Sequence, residues 1–435
     1  MEKVMKKILM TVAMMGIAGG GYAAEFSELS VKASELKASV AIGAGNENVP
    51  VQAAGAAAKV HISKDCAAAA GIKLEFPPLS GAYNVGKVDI VFRDSSRTEV
   101  QATDSGCSFP DAWRSIPTII YYPVEKSYSQ GIRSLYLPEK VIRSLPVGKD
   151  MQDAMVGTKQ RAFANAPLAG SAGKYPVILF SPGGEISSMF YAAILEDLAS
   201  NGYIVAALSH PYLSGSVYLP DQDCLIGMED VLMDPDKAVP YLNVAIPEAV
   251  KDLRYVFTAL KDKRSSNGRF SNQIDFSRFF VMGHSAGGMA ATMYCGNRGN
   301  GCNAGINLDG GKLTGKDVEV SGSWPKRRDL PFMKIHSGGI APIDVIPKNY
   351  FGKRQYVVNI HRISHASFED IAFLGPGLVP PPPGGTLIDP FASHKIIMGH
   401  VLGFLSSIGA DSDKVEWPQL GESLGQEYEI QEKRW

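Results

Sequence analysis

The run Phe279-Phe280-Val281-Met282-Gly283-His284-Ser285-Ala286-Gly287-Gly288 decides how this chain is read. Four apolar residues enter a Gly-rich turn, and Met289-Ala290-Ala291-Thr292-Met293-Tyr294 after it has the composition of the first turns of a helix. Strand, sharp turn and helix form the context in which Gly-x-Ser-x-Gly makes a nucleophile elbow, with the serine projecting from the end of the sheet. Such a turn strains the backbone of its central residue, so the flanking positions must be small to clear the neighbouring strand and helix. In a chain with 45 glycines the pentapeptide alone is a weak signal. The apolar run before it and the small residues after it make it specific, and Ser285 is expected to be a nucleophile.

At 435 residues, with 45% hydrophobic and 20% charged side chains, the chain has room for one large α/β domain with insertions, or for two domains. Residues 1–24 read as a secretory signal peptide: Lys3, Lys6 and Lys7, an apolar stretch from Ile8 to Ala18 too short to span a bilayer, and an exit ending Tyr-Ala-Ala. No cysteine sits at that exit, so no lipoprotein anchor is indicated. Without this segment, 40 basic and 43 acidic side chains remain, a net charge of about −3. That balance argues against a nucleic-acid partner, which needs clustered positive charge. No later segment is apolar and long enough to span a membrane, and export implies a periplasmic or secreted location. Cys66, Cys107, Cys224, Cys295 and Cys302 all lie in the exported part, where disulfides can form. Their spacings match no redox or zinc motif, and neither a catalytic metal nor a cofactor is expected. Asp221, Asp223, Glu229, Asp230, Asp234 and Asp236 lack the spacing of a calcium loop and read as a solvated insert.

Residues 25–80 form a leader to which no chemistry is assigned. From Gly81 the pattern changes. Val88–Phe92 and Ile116–Tyr122 suggest an antiparallel pair, and residues 130–173 read as loops and short helices. Tyr175-Pro-Val-Ile-Leu-Phe180 is a buried-strand run leading into Ser181-Pro182-Gly183-Gly184. A helix near Ser187–Ser200 and a strand Tyr203–Leu208 follow, so the sheet is mostly parallel, with helices on both faces. An insert at about 212–245 interrupts the rhythm. Pro247–Lys263 then reads as an amphipathic helix, with Val250, Leu253, Val256, Phe257 and Leu260 on one face. Past the elbow come Ala304–Leu308, Pro331–Ile335 and Gln355–Ile363, each followed by a polar residue: Asp309, His336 and His365. A Pro-rich loop at about 375–385, an apolar helix Phe391–Ile408 and a polar tail at 411–435 end the chain; the main domain is expected over 81–410.

A serine hydroxyl needs a base within hydrogen-bond reach and a group that orients the base. Asp309, at the end of an apolar strand and before two glycines, is the best acid. Among the later histidines, His394 and His400 fall in the last helix and His361 in mid-strand, where packing explains them. His365, which opens a loop-to-helix turn, is favoured as base over His336. Oxyanion donors are expected from the amide of Ala286 and from the loop ending at Gly184. Cys295 and Cys302 flank the turn-forming Gly296-Asn-Arg-Gly-Asn-Gly301 and are expected to form a disulfide.

Tyr175–Gly184, Asp197–Ala206, Gly283–Gly287, Leu308-Asp309 and Ser364-His365 resemble the plasma-type platelet-activating factor acetylhydrolase family, as do Gly81–Gly86 and Ala164–Leu168. The resemblance spans about residues 80–408. It implies an α/β-hydrolase fold, calcium-independent ester hydrolysis, the triad Ser285, Asp309 and His365, and an oxyanion hole from Gly184 and Ala286. Pro182 departs from the family's usual histidine and resembles the Ser-Pro-Gly of bacterial cutinase-like polyester hydrolases. The expected activity is therefore that of an exported serine esterase acting on short acyl esters. A polyester or acyl-sugar esterase is the alternative, and a non-catalytic binding protein on the same scaffold is a second.

Overall fold

The computed structural model describes residues 74–99, 107, 113–145, 147–170, 173–226, 235–262, 270, 272–311, 327, 329–338, 354–375, 378–382, 385–408 and 414–433. The expected signal peptide, most of the expected leader, Cys66 and residues 227–234 of the insert lie outside them.

Strands β1 (Asn84–Thr98) and β2 (Trp113–Val124) pair antiparallel. Residues 130–173 hold helices α1 (Glu139–Ser144) and α2 (Lys149–Met155), and also two strands the sequence did not announce, β3 (Arg133–Leu135) and β4 (Lys159–Ala164). Both are short and carry charge, and their pairing, β4 with β1 and β3 with β4, rather than an apolar run, makes them strands. Next come β5 (Tyr175–Ser181), a 3-10 turn (Ser188–Tyr191), α3 (Ala192–Ser200) and β6 (Ile204–Leu208). The insert carries a hairpin, β7 (Val217–Leu219) with β8 (Cys224–Ile226), and then the start of α4 (Pro235–Lys261). This helix begins at Pro235 rather than at Pro247 as expected, and it contains Pro240 and Pro247. A proline removes one backbone hydrogen bond but does not end a helix whose apolar face is packed on both sides of it. Here Leu242, Ile246, Val250 and Leu253 are all buried.

The second half runs β9 (Ile274–His284), α5 (Ala286–Gly296), β10 (Ala304–Leu308), β11 (Phe332–Gly338), β12 (Gln355–His361), α6 (Pro390–Ser406), α7 (Glu422–Gly425) and β13 (Tyr428–Lys433). Two expectations are corrected. β11 continues past Ile335 to Gly338, so His336 sits inside a strand rather than after one. The polar tail is not all loop, because β13 pairs antiparallel with β12; its alternation of Tyr428 and Ile430 with polar Glu429 and Gln431 suits an edge strand.

Eleven strands form one sheet in the order β13-β12-β11-β10-β9-β5-β6-β2-β1-β4-β3, parallel from β12 through β6. This is an α/β-hydrolase fold. Along β5, Ile178 and Phe180 join the apolar cluster that includes α3 and α6, while Val177 and Leu179 join the one that includes α4 and α5. Both faces are thus covered, as the uninterrupted apolar run of a parallel strand requires. The chain moves outward from β5 to β6 and then returns to place β9 on the other side of β5. That reversal opens a crevice between the C-terminal ends of β5 and β9, the place where open α/β sheets hold ligands.

Two disulfides tie surface segments to this frame: Cys295–Cys302, with Cα atoms 5.2 Å apart, and Cys107–Cys224, at 5.5 Å. The second joins the loop between β1 and β2 to the insert hairpin, a pairing that spacing could not assign. Replacing both Cys295 and Cys302 with Ser should lower unfolding free energy by about 2.5 kcal/mol on the chain-entropy account of a short closed loop. Denaturant titration of the variant checks this, and an unchanged midpoint would contradict it.

Candidate active site

Ser285 occupies the turn between β9 and α5 with φ 53° and ψ −121°, a conformation that costs an ordinary residue on the order of 1–3 kcal/mol. Its neighbours make the turn possible. A Cβ on Gly283 would lie 2.2 Å from the Gly287 carbonyl oxygen. One on Gly287 would lie 2.1 Å from that of Ser181 and 2.3 Å from that of Pro182. The elbow therefore presses directly on the loop after β5. The Ser285 amide donates to the Leu308 carbonyl at 2.9 Å, which docks the turn on the end of β10.

Asp309 is the next residue. It also has a positive φ, 50°, and its amide bonds the Ile335 carbonyl at 2.7 Å. Its carboxylate accepts from the Ser337 amide (3.0 Å), the Ser337 hydroxyl (2.6 Å) and His365 Nδ1 (2.8 Å). His336 Nδ1 also approaches it, at 3.6 Å. Both histidines weighed from the sequence thus face Asp309, but only His365 is within hydrogen-bond distance. His365 opens the 3-10 turn His365–Phe368, whose start is fixed by the Ser364 amide donating to Ser367 Oγ at 3.0 Å and the Ser367 amide donating to the Ser364 carbonyl at 2.9 Å. Burial alone would push the Asp309 carboxyl up; the nearby His336 imidazole and the hydrogen bond from His365 outweigh it and hold the group well below the usual carboxylate range. Burial likewise opposes the His365 imidazolium, yet the bond and charge of Asp309 prevail and raise its pKa above the ordinary value.

On the other wall, the β5 loop passes through buried Pro182 and Gly183 to half-buried Gly184. Ala286 is the first residue of α5, whose leading N–H groups have no partners within the helix and carry the positive end of its dipole.

Two sets of side chains brace this loop, and sequence reasoning assigned neither. Ser181 Oγ lies 2.9 Å from His210 Nε2, and His210 Nδ1 lies 2.9 Å from Asp252 Oδ2. Asp252 in turn bonds Arg114 Nη2 at 2.7 Å and Arg97 Nη2 at 2.8 Å, and Arg114 also bonds Glu99. Arg114 and Asp252 are wholly buried. Burial disfavours the Asp252 carboxylate, but the Arg114 charge keeps it far below the normal range. This Ser-His-Asp series is closed to solvent and so is structural. The only hint in the sequence was the polar Ser209-His210 at the end of an apolar strand. The second brace is Tyr191, whose hydroxyl meets both the Gly183 amide (3.0 Å) and His284 Nδ1 (2.9 Å).

A family model described as platelet-activating factor acetylhydrolase, isoform II, matches residues 68–224, the stretch that includes β5 and its loop. The chain is similar to the platelet-activating factor acetylhydrolases. One relative, from Arthroderma benhamiae, is named "Probable 1-alkyl-2-acetylglycerophosphocholine esterase"; it is 25% identical over 265 residues, 59% of this chain and 64% of that protein's length. The platelet-activating factor acetylhydrolase of Canis lupus familiaris is 27% identical over 333 residues, 70% of this chain and 71% of that protein. A ferulic acid esterase from Streptomyces cinnamoneus superposes with a TM-score of 0.63 at 22% identity, covering 83% of this chain and 99% of that one, a likeness of fold. Among the described residues no helix is long and apolar enough to cross a membrane, and no cluster of metal-ligating side chains occurs.

Replacing Arg114 with Leu should destabilise the fold by about 3–5 kcal/mol, because it strips the main counter-charge from a buried carboxylate. A loss under 1 kcal/mol in urea unfolding would show that Arg97 and His210 suffice.

Proposed function

We propose that this chain is an exported serine esterase that hydrolyses short-chain carboxylic esters, platelet-activating-factor-like acetyl esters of lipid origin among them. Ser285, His365 and Asp309 act as nucleophile, base and orienting acid. The observation that carries the reading is the 2.8 Å bond between His365 Nδ1 and Asp309, formed beside a serine held at positive φ at the foot of a helix. A bond at Nδ1 leaves Nε2 as the nitrogen that accepts the Ser285 proton. Ser285 Oγ then adds to the acyl carbonyl, and the oxyanion is met by the amides of Gly184 and Ala286. His365 returns the proton to the departing alcohol, leaving an acyl-Ser285 ester. Water, deprotonated by the same histidine, releases the acid. Asp309 stays ionised throughout and stabilises the imidazolium.

Export is supported by the N-terminal segment and by the two disulfides, which suit an oxidising compartment. Short acyl groups are favoured because the insert begins against the oxyanion loop. The Leu213 carbonyl receives the Glu185 amide, and a Cβ on Gly215 would lie 1.8 Å from the Glu185 carbonyl oxygen. A polyester or acyl-sugar substrate is the second reading, favoured by Ser181-Pro182-Gly183-Gly184.

Fluorophosphonate labelling should modify Ser285, and an unmodified serine would favour a binding protein. Ser285→Ala or His365→Ala should remove about a thousandfold or more of p-nitrophenyl butyrate turnover. If His336→Ala did this and His365→Ala did not, the base would be misassigned. The base works only when neutral, so kcat/KM should rise with pH through a midpoint above the ordinary histidine value of about 6.5. Asp309→Asn removes what raises that midpoint, and the residual activity should titrate lower. Acetyl and butyryl esters should outrun those of twelve or more carbons, and about tenfold preference for the long chains would reject the short-acyl assignment.

A further inference from the structure

The loop that carries Gly184 and the turn that carries Ser285 come from different strands, β5 and β9, yet an oxyanion donor is useful only within a few tenths of an ångström of its place. Something must hold the two in register. The β5–β9 ladder ends at Ser181 opposite Gly283, and beyond it the contact of Gly287 with the Ser181 and Pro182 carbonyls sets how close loop and turn come but is a repulsive limit and fixes no orientation. A directional link exists in one side chain. Tyr191, at the end of the 3-10 turn before α3, is fully buried, with its ring 4.9 Å from that of Phe180 on β5.

Its hydroxyl accepts the Gly183 N–H at 3.0 Å and lies 2.9 Å from Nδ1 of His284, the residue before Ser285. Burial, together with the nearby Glu369 carboxyl, raises the phenol's pKa well above its ordinary value, so Tyr191 keeps its proton. A phenol oxygen can accept two bonds, so the direction of the Tyr191–His284 bond is set by the imidazole tautomer, and in either direction it joins the Gly183 amide to the elbow. Burial and the neighbouring His365 push the His284 imidazole well below the usual range, so the ring is neutral, with one nitrogen that donates and one that accepts. Glu369 Oε1, 3.6 Å from the same nitrogen, is beyond hydrogen-bond distance. The Gly183 amide is thereby committed to tyrosine, and the next amide, that of Gly184, is the one left to meet substrate.

We propose that Tyr191 is a positioning residue that locks the oxyanion loop to the nucleophile elbow through the chain Gly183 N–H, Tyr191 O–H, His284 Nδ1. The proposal rests on the esterase reading, with Ser285 as nucleophile and Gly184 as oxyanion donor. Tyr191 touches neither substrate nor the reacting atoms. Its effect is on the transition state, where the second donor matters, rather than on the bound ester.

Tyr191→Phe keeps the ring packed on Phe180 and removes only the hydroxyl. With p-nitrophenyl butyrate, kcat should fall about ten- to hundredfold while KM stays within about threefold, since loss of one whole donor costs roughly 10²–10³. Affinity for an alkyl trifluoromethyl ketone, whose adduct with Ser285 places an oxyanion in the hole, should weaken by a similar factor. Wild-type kcat and wild-type ketone affinity in this variant would overturn the proposal, and so would equal losses in substrate affinity and turnover. The elbow side gives an independent arm. His284→Leu should reproduce the kcat-selective loss, and His284→Asn, whose amide oxygen can stand where Nδ1 stands, should restore much of it. Asn no better than Leu would overturn the coupling even if Tyr191→Phe folded poorly. A wild-type protein that neither turns over the ester nor takes a fluorophosphonate at Ser285 would overturn the esterase reading and this proposal with it. An active, labelled wild type beside an unaffected Tyr191→Phe overturns the bridge alone.

Discussion

The close approach of Gly287 to the carbonyl oxygens of Ser181 and Pro182 is the constraint on which the site depends. At 2.1 and 2.3 Å from where a Cβ would stand, those oxygens exclude every side chain. The same crowding keeps the start of α5 against the end of β5. Ser285 has no left-handed preference of its own; it is held at φ 53° because Gly283 and Gly287 let strand, turn and helix close over so short a distance. The tightness that makes the serine project also places the leading amides of α5 beside the β5 loop. One steric fact thus yields both a projecting serine and a pair of adjacent N–H sources.

Closeness alone would leave the β5 loop free to shift, and the protein fixes it with buried polar groups on both sides. On one side Ser181 is tied through His210 to Asp252, whose charge is balanced by Arg97 on β1 and Arg114 on β2. On the other, Gly183 is tied through Tyr191 to the elbow. Buried ion pairs are a costly way to stabilise a fold, since desolvation offsets most of their attraction. A directional network does what apolar packing cannot, which is to hold one backbone segment at a set angle.

The parts of this arrangement that were legible in the sequence are those written locally. The elbow is a contiguous pentapeptide between an apolar run and a helix, and Asp309 is the residue that ends a five-residue apolar strand. Asp252 was not legible. It lies on α4 among Val250, Leu253 and Val256, where a polar residue reads as solvent-facing, and the arginine that holds it is 138 positions away. Tyr191 was hidden for a similar reason: an aromatic before a helix reads as core, and its hydroxyl partners lie on two other segments. His336 was misplaced by three residues of strand, because Ser337 and Gly338 lack the apolar signal that strands usually carry, although they pair in register with Ile360 and His361. The edge strand β13 escaped because its outward charges, which protect an edge from mispairing, are also the signature of a solvated tail.

The position of His365 has a geometric problem to solve. Ser285 follows β9, whereas His365 follows β12, three strands away in the sheet, and neighbouring strands are about 4.8 Å apart, so the strand ends are separated by roughly 14 Å. No imidazole spans that distance. The chain after β12 must therefore turn back across the strand ends, over Asp309 on β10, and be held there. The ring of His365 lies 4.4 Å from that of His284, which shows that it has made the crossing. What holds the returning segment is Asp370, whose two carboxyl oxygens accept the amides of Ala192 and Ala193 at 2.7 and 2.9 Å, the first turn of α3. A helix N-terminus welcomes a carboxylate, while burial pushes this one up to about 7. Since α3 follows β5, the anchor stands on the far side of the elbow from β12. The loop that delivers the histidine is thus pulled across the sheet by a cap on the very element whose preceding turn carries Tyr191, so His365, Ser285 and the β5 loop share one fixed point.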